Sequence, residues 1–348
     1  MTVYRKIQIR NDTKANWASQ NPTLLSCELG IENDTGRIKR GNGATAWNSL
    51  RYADEEEYIM SAMLSGNYHG TNLEERFADE IKSYSSVADW LHARCQANNF
   101  YGIHPGDYFY DTTVAATVDG TAIASGTKRK CVIAGVDMYY NTGDTPMPHH
   151  LTVFTLSEAN VMFNTTLNNN GSSYSANPYR ASKLYAVQNG INNVATNAIG
   201  AVGFNAAGAG YLQTFSSALR NRMVEQRCLM PERYNASSAL TDHTGWNWYG
   251  RGMIFAPTEI EAYGCLIHSN KPTQTQQNPE GFGPTCHWPI FQSAGGNGRI
   301  MFGRLHWWLS SIAGGGTSCA CYVTGHGSAT CYVTTEAFIR APLCFHIA

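Results

Sequence analysis

Residues 21–52 read NPTLLSCELGIENDTGRIKRGNGATAWNSLRY. Two turn signatures divide the stretch. Asp34-Thr35-Gly36 and Gly41-Asn42-Gly43 supply the positive-φ positions that tight turns need, because Gly has no Cβ and Asn tolerates the left-handed region. The pattern predicts strand, tight turn, strand and turn over LLSCELGIE, NDTGRIKRGNG and ATAWNSL. Upstream, VYRKIQIRND sets Val3, Arg5, Ile7 and Ile9 against Tyr4, Lys6, Gln8 and Arg10, the period of two expected of a strand. About fifty residues of short strands make a small core, so such a module is expected to gain stability by oligomerising.

The rest of the chain is globular in composition. Of 348 residues, 43% are hydrophobic and 11% aromatic, enough to bury a sizeable core. Charged residues make up only 15% and the net charge is −1, so bulk charge recruits no partner. The one basic run, Lys128–Lys130, is expected at a loop or strand end and is too short for a nucleic-acid footprint. The start, MTVYRKIQIRNDT, alternates polar and apolar residues and lacks a basic segment followed by an apolar run, so neither a signal peptide nor membrane insertion is expected. Ten cysteines (27, 95, 131, 228, 265, 286, 319, 321, 331 and 344) occur without C-x-x-C pairs and read as reduced, buried small hydrophobes. Cys319 and Cys321 share one face of a predicted strand with Cys331 nearby, but a zinc site needs two such pairs, so no metal and no cofactor are expected.

Periodicity organises the remainder. In residues 54–83 the acidic residues concentrate, and Glu55–Glu57 with Ile59, Met60, Met63 and Leu64 form a helical stripe ending before Gly66, which predicts a partly helical linker. SSVADWLHARCQ predicts a helix with Ser86 and Asp89 at capping-box spacing and Val87, Trp90, Leu91 and Cys95 on one face. Beyond it GIHPGDYFY, KCVIAGVDMYYNTG and HHLTVFTL read as strands. Leu184, Val187 and Ile191 read as one helix, Leu212, Phe215, Leu219 and Met223 as another, and Trp307 to Ile347 as strands again. Helices and strands are mixed without βαβ alternation, so the class is α+β.

The opening stretch resembles the short N-terminal repeat of phage tail and fibre proteins, whose pattern NP.L..GE.G.E.DTG..K.GDG.T.W..L.Y forms an interlocked β-prism trimer. Asn21, Pro22, Leu24, Glu28, Gly30, Glu32, Asp34, Thr35, Gly36, Lys39, Gly41, Gly43, Thr45, Trp47, Leu50 and Tyr52 match it, while Cys27 stands where Gly is commoner and Asn42 where Asp is usual. The resemblance implies that residues 1–53 form a trimerising, virion-attachment module carried by Ile7, Ile9, Leu24, Ile31, Ile38 and Trp47. Over residues 84–348, YGIHPGDYFY, VIAGVDMYYNTGDT, HHLTVF, FAPTEIEAYG, WWLSS and FIRAPLCFHI appear in an order similar to that of a C-type lectin-like domain at the C-terminal end of gut-phage structural proteins. Trp307 and Trp308 then correspond to a usually buried pair. The lectin calcium signature is missing, so calcium-dependent sugar binding is not implied. A small β-prism followed by a lectin-like domain is similar to the architecture of the major tropism determinant of a Bordetella phage.

Side-chain chemistry favours binding over catalysis. No G-x-S-x-G, H-E-x-x-H, phosphate loop or paired acidic constellation appears. His149 and His150 are adjacent and on a strand would point to opposite faces, so His150 or its neighbour is expected in the core or at a strand end. HTGWNWYGRG places Trp246, Trp248 and Tyr249 in a Gly- and Asn-rich stretch read as a loop, suited to stacking on sugars or anchoring a protein. His326, within the small-residue stretch AGGGTSCACYVTGHGSATCYV, is a further candidate contact. The expectation is a non-enzymatic phage virion protein, a homotrimer docked to other virion proteins through its N-terminal module and presenting lectin-like heads to a host-surface glycan or protein. Alternatives are a head fibre or capsid decoration protein, a receptor-binding protein diversified by a retroelement, and an oxygenase resembling formylglycine-generating enzymes, to which Cys319 and Cys321 invite comparison.

Overall fold

The structure, a computed structural model, describes residues 9–164, 177–190, 209–234, 240–269, 286–292, 299–314 and 319–348. The chain divides into two compact units, Met1–Tyr68 and His69–Ala348. The stretch expected as a linker is therefore shared out, its first half packing with the smaller unit and its second with the larger.

In the smaller unit β1 (Arg10–Asp12) leads through helix α1 (Lys14–Gln20) to β2 (Leu29–Glu32), which pairs with β3 (Ile38–Arg40). β2 is central: β1 lies parallel to it, with Arg10 opposite Gly30, and β3 antiparallel, with Ile31 opposite Ile38. Parallel neighbours need a crossover, and α1 supplies it. The first fifty residues are thus not all strand. α1 carries one buried residue, Trp17, too few to show a helical period, but its start is written locally: the Thr13 hydroxyl accepts from the Asn16 amide. After a single bridge from Ala46 to Thr23 the chain enters a 3-10 turn, Trp47–Ser49, which swings the Trp47 indole onto Trp17 at a 4.0 Å centroid separation. Trp17, Leu24, Trp47 and Leu50 form the core of this unit. α2 (Glu55–Leu64) follows as predicted and buries only Ile59. Tyr58, Met60 and Leu64 are exposed.

The larger unit begins with short helices α3 (Leu73–Arg76) and α4 (Ala78–Ile81) and the predicted α5 (Val87–Gln96). Ser86 caps α5, accepting from the Asp89 amide at 3.1 Å and donating to its carboxylate at 2.8 Å, and the face carrying Trp90, Leu91 and Cys95 is buried. Strands β4 (Tyr108–Thr112), β5 (Ala116–Val118), β6 (Thr121–Ile123), β7 (Lys128–Val136), β8 (Leu151–Phe154) and β9 (Leu156–Asn160) follow, then α6 (Lys183–Asn189). After these come β10 (Met223–Val224), β11 (Arg227–Tyr234), β12 (Leu240–Gly250), β13 (Trp307–Ile312), β14 (Cys319–Val323), β15 (Ala329–Val333), β16 (Arg340–Pro342) and β17 (Phe345–Ile347).

Two five-stranded sheets result, ordered β10-β17-β8-β7-β4 and β15-β14-β13-β16-β9, with β5-β6 and β11-β12 as separate hairpins. Two short passages run directly from one sheet to the other, from β8 to β9 at Thr155 and from β16 to β17 at Leu343–Cys344. The Leu343 amide donates to the Thr155 carbonyl at 2.8 Å where the passages meet. Trp307 and Trp308 are buried, as expected. The helix expected over Leu212–Met223 is broken. Tyr211–Thr214 is a 3-10 turn, Phe215 turns extended, Ser216 caps a new helix at Ser217–Arg220, and Met223 already belongs to β10. Ser and the extended residue before it redirect the chain where apolar spacing alone would continue the helix. Ile191 lies outside the described residues. No helix of the described residues is long and apolar enough to cross a membrane.

Candidate recognition sites

In the smaller unit the residues of the repeat pattern form one interlocked network. Glu32 is fully buried and accepts from the Tyr52 hydroxyl at 2.6 Å and from the Thr35 hydroxyl at 2.6 Å. Lys39, also buried, donates to the Trp47 carbonyl at 2.8 Å, with its ammonium 4.4 Å from the Tyr52 ring centroid. Arg37 covers the other contact of that ring at 3.5 Å and pairs with Asp54. Burial and the Glu32 carboxylate push the Tyr52 phenol up to about 12, so it remains a donor across the neutral range. Burial pushes the Lys39 ammonium down. Gly30 is required for contact: a Cβ there would fall 2.5 Å from the Trp47 ring. Leu24 and Trp47 are spent in the unit's own core, Ile31 and Ile38 are half-buried on the paired strands, Ile9 is exposed and Ile7 lies outside the described residues.

The aromatic stretch at Trp246 is strand and not loop. β12 pairs with β11 so that Cys228 faces Tyr249, Leu229 faces Trp248, Met230 faces Asn247 and Pro231 faces Trp246. Directly opposed residues share a face, and faces alternate along the strand. Cys228 and Met230 are buried, which turns the Tyr249 side toward the core, and the Tyr249 hydroxyl donates to Glu232 at 2.6 Å. Trp246 and Trp248 project from the opposite face, Trp248 40% exposed and Trp246 half-buried. The structure therefore brings two of the candidate aromatics together and sends the third inward.

The base of this hairpin is braced by charge. Arg227 forks onto Asp144 at 2.8 and 2.7 Å, and the hydrogen bonds from that guanidinium hold the Asp144 carboxyl below its usual range. Arg180 donates to the Gly250 carbonyl at 2.7 Å. Arg251, just past β12, is fully buried and donates to both Glu261 oxygens at 2.8 and 2.7 Å. Burial alone would push the guanidinium down, but the paired carboxylate keeps it protonated. Tyr139 donates to the same carboxylate and accepts from Trp288 Nε1 at 2.7 Å. A wide aromatic edge is thus carried on a hairpin pinned by three arginines. Nothing in the local sequence pointed to Asp144, Arg180 or Glu261, which are remote in the chain; Arg251 alone was adjacent to the aromatic run.

The other candidates separate. His326 is exposed in the Thr324–Ser328 turn between β14 and β15, on a different sheet from the aromatic hairpin. His149 is half-exposed, stacked on Tyr140 and hydrogen-bonded to Asp137 at 2.6 Å, while His150 is fully buried, edge-on to His346. Neither lies on a strand: both precede β8, and both imidazoles approach the Asp137 carboxylate, His149 from the surface and His150 from the core. Lys128–Lys130 does open a strand, β7, with Arg129 buried against Glu158. Among the described residues no three His, Cys, Asp or Glu side chains are placed to hold a metal ion.

Comparison with known proteins places one segment. Residues 7–45 match the family described as the major tropism determinant N-terminal domain. No curated protein and no solved structure matches the chain. The matched segment spans β1, α1, β2 and β3, the layer that carries Trp17, Glu32 and Lys39, and it is similar to the N-terminal domain of a phage tropism determinant.

Proposed function

We propose that this chain is a phage fibre or receptor-binding adhesin, in which the unit Met1–Tyr68 assembles and docks the protein in the virion and the unit His69–Ala348 makes contact with the host surface. The observation that carries the reading is the match of residues 7–45 to the tropism determinant N-terminal domain. Trimerisation through that unit follows from the repeat pattern, and its small four-residue core supports a need for partners. A C-type lectin-like fold for the larger unit is supported by the buried Trp307–Trp308 pair and by the final strand returning between β8 and β10. The contact surface is the Trp246–Trp248 face of β12. An exposed indole on a braced strand loses little conformational entropy on binding and offers a flat face to a sugar ring or an apolar anchor to a protein. The role is adhesion without catalysis.

The test is retention of purified full-length protein on host cells, with Trp248→Ala beside it. Binding by the native protein that falls at least tenfold in the variant supports the reading. Equal binding by both moves the contact surface elsewhere, and no binding by either removes the adhesin role.

A further inference from the structure

Cys321 and Cys331 are directly opposed across β14 and β15. The turn between these strands fixes what kind of opposition this is. The Thr324 amide donates to the Ser328 carbonyl at 2.9 Å, so Thr324 and Ser328 form a hydrogen-bonded pair, and the Gly327 amide closes the turn onto the Thr324 carbonyl at 2.9 Å. Hydrogen-bonded and non-hydrogen-bonded pairs alternate in an antiparallel ladder. Val323 and Ala329 are therefore non-hydrogen-bonded, Tyr322 and Thr330 hydrogen-bonded, and Cys321 and Cys331 non-hydrogen-bonded. At that position Cα atoms approach to about 4.5 Å with side chains leaning together, inside the range of about 4.4–6.8 Å that a disulfide spans. Both residues are present as thiols.

We propose that Cys321 and Cys331 are a modification site: a cross-strand disulfide forms between them when the protein meets a small-molecule disulfide in an oxidising medium. Cys331 is half-buried on β15, the edge strand of its sheet, and is the sulfur a reagent reaches. Cys321 is fully buried on the neighbouring strand. The Cys331 thiolate attacks one sulfur of the reagent and expels its first thiolate. Cys321 then attacks the Cys331 sulfur of the mixed disulfide and expels the second. Two protein thiols lose two protons and two electrons, and one reagent disulfide becomes two thiols. Burial, with Cys319 and Glu259 adding to it, pushes the Cys331 thiol up, so the reaction is slow. Cys319 shares the face but is opposed to Val333. Its distance to Cys331 is diagonal, about 7–8 Å between Cα atoms, outside disulfide reach without backbone movement. The bond would staple an edge strand, the part of a sheet most open to fraying and to pairing with other chains.

The experiment incubates native full-length protein with oxidised glutathione and maps disulfides by peptide mass spectrometry without reduction. The expected result is loss of two titratable thiols and a linked peptide pair containing Cys321 and Cys331. It persists in Cys319→Ser, disappears in Cys331→Ser, and raises the thermal midpoint by a few degrees that reduction abolishes. An unchanged thiol count, or a linkage through Cys319, overturns the proposal. If Cys331→Ser does not fold, the mapping of the native chain alone decides.

Discussion

Cys27 adopts φ 65°, the left-handed region, at the position where the repeat pattern has Gly. A side chain there costs about 1–2 kcal/mol of local strain, partly offset because Gly is freer in the unfolded chain. Cys27→Gly is expected to leave the fold intact and raise the stability of the smaller unit by about 0.5–1 kcal/mol, read by chemical denaturation. Trp47 is the opposite case. Stacked on Trp17 and in contact with Gly30, it is the centre of a four-residue core, so Trp47→Ala is expected to cost about 3–5 kcal/mol and to abolish the unfolding transition of that unit. In the larger unit the imidazoles of His150 and His346 are both buried, and burial pushes both below the usual histidine range, His346 the further. Their folded-state affinity for protons is below that of the unfolded chain, near pH 6.5. The stability they allow is complete above that pH and falls as the pH drops below it toward their folded values. A thermal midpoint that declines from pH 7 to 5, with a shallower decline in His346→Gln, is the expected result. At this scale the sequence was readable where chemistry is local: the turn glycine Gly36 has the positive φ predicted for it, and Ser86 caps its helix. The Glu32–Tyr52–Lys39 network was visible only as a pattern of letters, because its members meet through the fold.

Among elements, the β11–β12 hairpin shows how tertiary pairing overrides composition. Gly245, Asn247 and Gly250 are turn formers, and the run read as a loop. Cys228 and Met230 on β11 offered a buried face, and β12 paired along its length to cover it. Because Trp248 is on the outer face, Trp248→Ala is expected to change stability by less than about 1 kcal/mol while removing most adhesion, whereas Arg251→Met leaves the Glu261 carboxylate buried without its cation and is expected to cost about 3–5 kcal/mol. A fold that lost stability with Trp248 and tolerated Arg251→Met would contradict the division between presented and bracing residues. α1 and α5 mark the limit of periodicity. α5 presents Trp90, Leu91 and Cys95 on one stripe and was legible; α1 buries Trp17 alone, and neither its spacing nor its flanking alternation announced it.

For the whole molecule, the proposed function divides two tasks between two units of unequal size, and the boundary between the units falls at Tyr68, inside the segment that composition marked only as acidic and partly helical. The α+β class was accessible from mixed periodicities. The stitching of the two larger sheets was not, since β9 and β16 pair across 180 residues and only the three-dimensional return of the C-terminal strands reveals it. Assembly through the smaller unit is the claim on which the adhesin reading rests. Its most direct test is the solution mass of the full-length chain beside a chain beginning at His69, by sedimentation or light scattering. The account predicts about three times the 38.2 kDa chain mass for the full length and a monomer for the shorter chain. Two monomers, or a trimer that survives removal of the first 68 residues, would contradict it.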